Sequence, residues 1–87
     1  MDWKLYSFIV RSSQRVDILS SLQKPMTPTQ ISKEVKLSTS HISRTLAQFS
    51  KKGLVKCLTP EERVGKLYEV TAKGKSILEE MEKDKGK

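Results

Sequence analysis

Apolar residues recur at helical spacing in the middle of the chain, directly after a hydroxyl residue. Ile42, Leu46 and Phe49 fall at i, i+4 and i+7, which is the period of one buried helix face. Ser38 precedes them in the N-cap position, where a hydroxyl oxygen accepts a hydrogen bond from the first turn. The pattern predicts a helix over residues 38–52 with one buried side.

The same start signal stands eleven residues earlier in the chain. Thr27 occupies the N-cap position, Pro28 the first helical position, and Gln30 completes a capping box. Met26 and Ile31 are spaced to form a hydrophobic staple across this start. Because the next cap follows so soon, the first helix must be short. The sequence predicts two helices joined by a tight connection.

The side of the second helix that faces away from its apolar stripe carries no acidic residue. It presents hydroxyl, amide, small and basic side chains: Ser40, Arg44, Ala47, Gln48 and Lys51, with His41 and Ser43 at its margins. Arg can bind guanine through two donors, and Gln can bridge two atoms of adenine. A merely solvated helix is the alternative, but such helices usually mix Glu with Lys. We interpret the pair as a helix-turn-helix whose second helix enters a DNA major groove.

Composition limits the choice of function. The chain has 87 residues, enough for one domain with one modest core, and its net charge is +7, which favours a polyanionic partner. Charge alone does not choose among DNA, RNA and an anionic membrane. We find neither a long apolar run nor a secretory leader and expect a cytoplasmic protein.

The candidate chemistry for catalysis or metal binding is sparse. Cys57 is the single cysteine and His41 the single histidine, so we expect no internal disulfide and no metal site. We interpret Cys57 as a small strand residue, with a redox-sensitive thiol as the alternative. No grouped nucleophile, base and orienting residue and no phosphate-binding glycine loop occur in the sequence. We therefore expect no enzyme activity and no cofactor.

After the second helix the pattern changes to that of a hairpin. Gly53 is placed to take a left-handed helix cap, and residues 54–58 and 66–70 are rich in strand formers. A polar loop joins them. Residues 13–22 predict a supporting helix, with Val16, Ile18, Leu19 and Leu22 facing the core. Residues 3–10 fit a helical stripe with alternation left open, and residues 72–81 predict a last helix capped by Thr71.

The segments that carry a family resemblance are residues 38–46, the Lys-Gly-Leu-Val at 52–55, and residues 68–74. They resemble winged helix-turn-helix regulators of the ArsR and MarR types, especially small archaeal members. The resemblance implies a mainly α fold with a small β-hairpin: a three-helix core, a two-stranded wing, and extra N- and C-terminal helices. We expect a single domain over 1–87, with an extension at 1–11, a core at 12–71, and a helix with a frayed tail at 72–87.

The resemblance also implies sequence-specific binding of double-stranded DNA, usually as a two-fold dimer of repressor type. The recognition-helix positions that it implies are Thr39, Ser40, His41, Ser43, Arg44 and Gln48. Lys51, which faces outward on the same helix, is added to them. Phosphate contacts are implied at Thr29, Gln30 and Lys33, and wing contacts within residues 59–66 at Arg63 and Lys66. Metal-sensing ArsR members carry cysteines on or near the recognition helix, and residues 38–52 have none, so metal sensing is not implied.

Two questions stay open at this level. Glu61 and Glu62 adjoin Arg63, so the wing either inserts Arg63 into the minor groove or is a solvated loop with one phosphate contact. The terminal apolar stripes either fold onto their own core or form a homodimer interface, which we expect at Trp3, Leu5, Phe8, Ile9, Ile77, Leu78 and Met81. The alternative function is a winged-helix adaptor in a protein or RNA complex that reads no DNA sequence.

Overall fold

Five helices and one antiparallel hairpin make up the fold. The structure is a computed structural model that describes residues 2–85. In chain order its elements are α1 (Trp3–Val10), α2 (Ser13–Ser21), α3 (Pro28–Val35), α4 (Thr39–Lys51), β1 (Val55–Cys57), β2 (Tyr68–Val70) and α5 (Ala72–Lys85). The predicted fold class, a three-helix core with a wing and a further helix at each end, is confirmed.

The helix starts follow the local signals in the sequence. Thr27 Oγ1 accepts a hydrogen bond from the Gln30 amide at 3.3 Å, and Gln30 Oε1 accepts one from the Thr27 amide at 2.9 Å, which completes the capping box of α3. Ser38 Oγ accepts from the His41 amide at 3.2 Å and caps α4. Lys36 ends α3 with a φ of 60°, a left-handed cap. The connection is therefore as tight as predicted.

One hydrophobic core joins all the helices. The stripe of Ile42, Leu46 and Phe49 on α4 is completely buried. Residues from α2 and α3 meet it, and Leu54 and Val55 extend the core towards the wing. Thr45 is buried with the stripe although the apolar pattern did not include it. Val16, predicted to face the core, is half-buried. The burial of this stripe determines which side of α4 faces outward.

The hairpin is shorter than predicted and gains a partner from outside it. Val55 pairs with Val70 and Cys57 with Tyr68, so each strand has three residues. Met26 forms a bridge with Tyr68 through two backbone hydrogen bonds of 3.0 and 2.9 Å. The hairpin is thereby tied to the segment that leads into α3. Gly53 has a φ of 76°, the left-handed conformation expected at the end of α4.

The terminal helices correct the predicted dimer interface. Leu5 and Ile9 of α1 and Ile77 and Met81 of α5 are buried in the chain's own core. A domain this small needs both terminal stripes to cover its core, so these four residues do not form an exposed interface. Of the other three predicted interface residues, Trp3 is 59% exposed, while Phe8 and Leu78 are half-buried.

At the two ends of the chain, the first helix is as predicted and the last helix is longer than predicted. Asp2 caps α1 by accepting hydrogen bonds from the amides of Lys4 and Leu5, which confirms a helix rather than a strand there. At the other end α5 continues to Lys85, so the tail predicted to fray after Met81 is helical over residues 82–85. The predicted fraying of residues 86–87 lies outside the described residues.

Candidate nucleic-acid interface

The outward side of α4 is a polar and basic surface, which we name the α4 ridge, defined by Ser40, Arg44, Ala47 and Lys51. All four are exposed, opposite the buried stripe of the same helix. No acidic residue occurs on α4 or anywhere between Glu34 and Glu61. The ridge therefore presents donors and cations without a neighbouring carboxylate from its own helix.

One flank of the ridge opens into a concave surface shared with the wing, which we name the wing cleft. The residues that line it are Pro28, Thr29, Thr39, Ser43, Arg63, Val64, Gly65, Lys66 and Tyr68. Five predicted site residues are thus brought together, from the starts of α3 and α4 and from the wing loop. Among the predicted phosphate contacts, Gln30 and Lys33 lie apart from this cleft, on an open surface beside Lys24.

The opposite flank meets the first turn of α2, forming what we name the α2 cleft. Its lining is Ser12, Gln14, Arg15, His41, Arg44, Thr45 and Gln48. Three of these were predicted as recognition-helix residues, but the contribution of α2 was missed. The available signal was the polar, acid-free run Ser12-Ser13-Gln14-Arg15, which we interpreted only as a helix start.

Arg15 is held in place by α1. Its Nη1 donates a hydrogen bond of 2.8 Å to the Phe8 carbonyl, and its guanidinium carbon lies 3.9 Å from the centre of the Phe8 ring. Lys52 Nζ lies 4.6 Å from the same ring centre, and the ring meets Phe49 edge-on at 6.3 Å. Cation–π and aromatic contacts of this kind contribute about 0.5–1.5 kcal/mol each. The start of α2 and the end of α4 are therefore linked through one aromatic side chain.

The wing loop is exposed and carries charge of both signs. Glu61, Glu62 and Arg63 are exposed, and Val64 is 86% exposed at the tip. Gly65 has a φ of 68°, which turns the chain back towards β2. Among the described side chains the only ion pair is Lys56 with Glu69, at 3.7 Å on the hairpin. The cations of the α4 ridge and of the wing loop thus form no ion pair with any carboxylate whose side chain is described.

Tyr68 lies in the wing cleft and at the same time in the hairpin. Burial, and to a lesser extent the charge of Cys57 opposite it, raises the pKa of the Tyr68 phenol above its ordinary value of 10.0. A phenol is protonated at neutral pH even at its ordinary pKa. It can donate a hydrogen bond to an anion in the cleft.

Other kinds of site find little support in the part of the chain that the structure describes. No cluster of three or more His, Cys, Asp or Glu side chains within residues 2–85 could hold a metal ion. No helix in that range has the length and apolar character needed to cross a bilayer.

Comparisons with known proteins agree with the geometry. The chain superposes on E. coli MarR, in a crystal structure of a cysteine-to-serine mutant complexed with operator DNA, with a TM-score of 0.71 and 23% sequence identity. The match covers 88% of this chain and 60% of the MarR chain, and at this identity it establishes a winged-helix fold. No curated protein matches the sequence. A family model described as the HVO_A0261 N-terminal domain matches residues 3–84, and the chain therefore belongs to that family.

Proposed function

We propose that this protein is a transcriptional regulator that binds double-stranded DNA sequence-specifically, with α4 in the major groove. The observation that carries the proposal is the α4 ridge, which is exposed and acid-free and lies between the wing cleft and the α2 cleft. The DNA complex of the MarR neighbour, to which the fold is similar, supports the same use. Such a regulator acts in the cytoplasm and represses by occluding a promoter.

The dimensions of α4 suit a major groove. A helix with its side chains is about 10–12 Å across, and the major groove is about 12 Å wide. The small side chains of Ser40 and Ala47 allow close approach, while Arg44 and Gln48 carry the two-point donor and acceptor patterns that distinguish guanine and adenine. Thr39, His41 and Ser43 extend the polar surface over the first turn. We assign base contacts to these positions.

The contacts to the sugar-phosphate backbone are proposed from the wing cleft. Thr29, Arg63 and Lys66 line it together, and Lys33 is an exposed cation further along α3. Gln30 lies apart from this cleft with its side-chain oxygen engaged in the capping box of α3, so its contact to phosphate would come from the side-chain amide nitrogen. Because carboxylates repel phosphate, Glu61 and Glu62 disfavour deep insertion of the wing between the two strands of the minor groove, and we assign Arg63 a single phosphate contact instead.

We further propose that the protein binds as a homodimer, with the whole chain as one domain. The support from the structure is the exposed apolar surface of α1, where Trp3 is 59% and Val10 is 40% exposed. Phe8 and Leu78 are half-buried and can add to such a contact. A two-fold dimer of helix-turn-helix units binds a pseudo-palindromic site with half-sites about 34 Å apart, or a multiple of that distance.

In vitro selection of sites from random duplex tests the proposal. We expect a pseudo-palindromic consensus. We also expect that Arg44→Ala relaxes base preference at one position per half-site, at a cost of about 1–3 kcal/mol. Lys51→Ala is the matched control, because loss of a phosphate-type cation should weaken all sequences alike. If selected and random duplexes bind equally at fixed salt, the adaptor function replaces this one. If Arg44→Ala leaves the selected site bound as before, the recognition surface is wrong.

A further inference from the structure

We propose that the first turn of α2, residues 12–15, binds the DNA phosphate backbone on the border of the major groove opposite the wing. The inference rests on the proposed DNA-binding function and adds a contact that the sequence did not predict. The phosphodiester strand that borders the groove entered by α4 would lie in the α2 cleft. Ser12, Gln14 and Arg15 are the residues it concerns.

The width of the major groove places a DNA strand on each side of α4. A helix that fills a groove of about 12 Å has a phosphate strand along each of its two flanks. On one flank of α4, Thr39 and Ser43 face the wing cleft. On the other, His41 and Gln48 face the α2 cleft. The wing contacts one of these two strands. The other strand must therefore run past the first turn of α2 when the α4 ridge contacts bases.

The charge in the α2 cleft suits that strand. Its lining contains the two cations Arg15 and Arg44 and no carboxylate. Asp17 is the nearest acidic residue along α2, and it does not line the cleft. Arg11, at the end of α1, is exposed just before the turn and adds a further cation. A polyanion is thus attracted to the cleft without repulsion from its walls.

Arg15 is preorganised for this role. One of its five N–H donors is engaged by the Phe8 carbonyl, and its guanidinium carbon lies over the Phe8 ring, so donors remain on a side chain that has already lost much of its freedom. A guanidinium fixed in this way loses less entropy on binding phosphate than a freely rotating one. Because the phosphate groups are the same in every DNA sequence, the contact should strengthen binding to all duplexes equally.

Gln14 gives the sharpest test, because Arg15 also supports the fold through Phe8. Gln14 is exposed and lies one residue after the first position of α2. Near a helix N-terminus an acid stabilises and a base destabilises. Gln14→Glu should therefore raise the resistance to urea slightly yet weaken DNA binding, and Gln14→Lys should do the reverse. Opposite changes in stability and affinity cannot come from altered folding.

The measurements are DNA affinity on the selected site and on random duplex, over a series of salt concentrations. A carboxylate about 4 Å from a phosphate lowers affinity roughly fivefold even with the screening of bulk water. The Lys variant should steepen the slope of log affinity against log salt by about 0.9 per protomer. Both effects should be equal on the two duplexes. Gln23→Glu and Gln23→Lys, with the same charge changes two residues beyond the last residue of α2, are the controls for DNA affinity.

The outcomes separate this inference from the function on which it rests. If the Gln14 variants change affinity and salt slope more than the Gln23 variants do, on both duplexes, the backbone contact is supported. If the two pairs behave alike while Arg44→Ala still relaxes base preference, the α2 contact is wrong and the proposed function stands. If the unaltered protein does not bind duplex DNA, both proposals fail.

Discussion

Gly74 lies where α5 packs against the hairpin, and we predict that Gly74→Ala destabilises the protein. An added Cβ would lie 2.3 Å from Val70 Cγ2 and 2.4 Å from the Leu54 carbonyl oxygen. The Leu54 oxygen is held in turn by hydrogen bonds from the amide and the hydroxyl of Thr71. Because one of the obstructing atoms belongs to the backbone, a change of side-chain rotamer cannot remove the clash.

Two opposing effects decide the magnitude. Alanine is favoured over glycine inside a helix by about 1 kcal/mol, and without the clash the substitution would stabilise α5. Overpacking a close contact costs about 1–3 kcal/mol, and two contacts this short belong at the upper end. The net expectation is a loss of about 2 kcal/mol in the free energy of unfolding. For a domain of this size that corresponds to a melting temperature lower by roughly 10 °C.

Urea denaturation followed by circular dichroism measures the effect as a lower midpoint with an unchanged slope. The control is Ser76→Ala, an exposed position on the same helix, where the better helix propensity of alanine offsets the loss of one local hydrogen bond from the Ser76 hydroxyl to the Ala72 carbonyl. We expect this control to be as stable as the original protein. Should Gly74→Ala instead match or exceed the original in stability, α5 does not approach the hairpin as closely as described, and the reasoning is refuted.

Two further substitutions test the aromatic side chains of the wing and of α1. Since burial raises the pKa of Tyr68, the folded state holds that proton more tightly than the unfolded state, and this stabilisation is lost as the pH rises above about 10. Urea midpoints between pH 8 and 11 should fall less steeply for Tyr68→Phe; an equal fall in both proteins would contradict the assignment. Phe8→Leu removes the ring that stacks with two cations and meets Phe49, so we expect a loss of about 1–2 kcal/mol and faster amide exchange in α1. Unchanged exchange would count against the link between α1 and α4.

The parts of the fold that the sequence predicted are those set by local signals. A capping box needs only Thr27, Pro28 and Gln30, and the structure forms it as expected. The apolar spacing on α4 likewise predicted its buried side, because a stripe of that period lies on one helix face and is removed from water when that face packs against the core. The left-handed Gly53 follows from the need to end α4 sharply before β1.

The parts that the sequence did not predict depend on contacts between distant residues. The bridge between Met26 and Tyr68 has no local signature, since either residue alone fits a loop or a strand. The terminal stripes were compatible with a folded core and with a dimer. For Ile9 and Ile77, their burial in the core decides between these two uses, and that burial is visible only in the structure. The cleft between α2 and α4 was missed for the same reason, because its two walls are separated by more than twenty residues.

The recognition surface predicted from the sequence was incomplete because Thr45 is buried beside α2. Its hydroxyl makes it a polar residue in the pattern, yet it is only 8% exposed and lines the floor of the α2 cleft. The buried side of α4 therefore extends further towards α2 than the apolar stripe indicates. His41 and Gln48 then border a polar cleft rather than open solvent. Because a DNA strand that follows the groove must pass that border, the surface to test is α4 together with the first turn of α2.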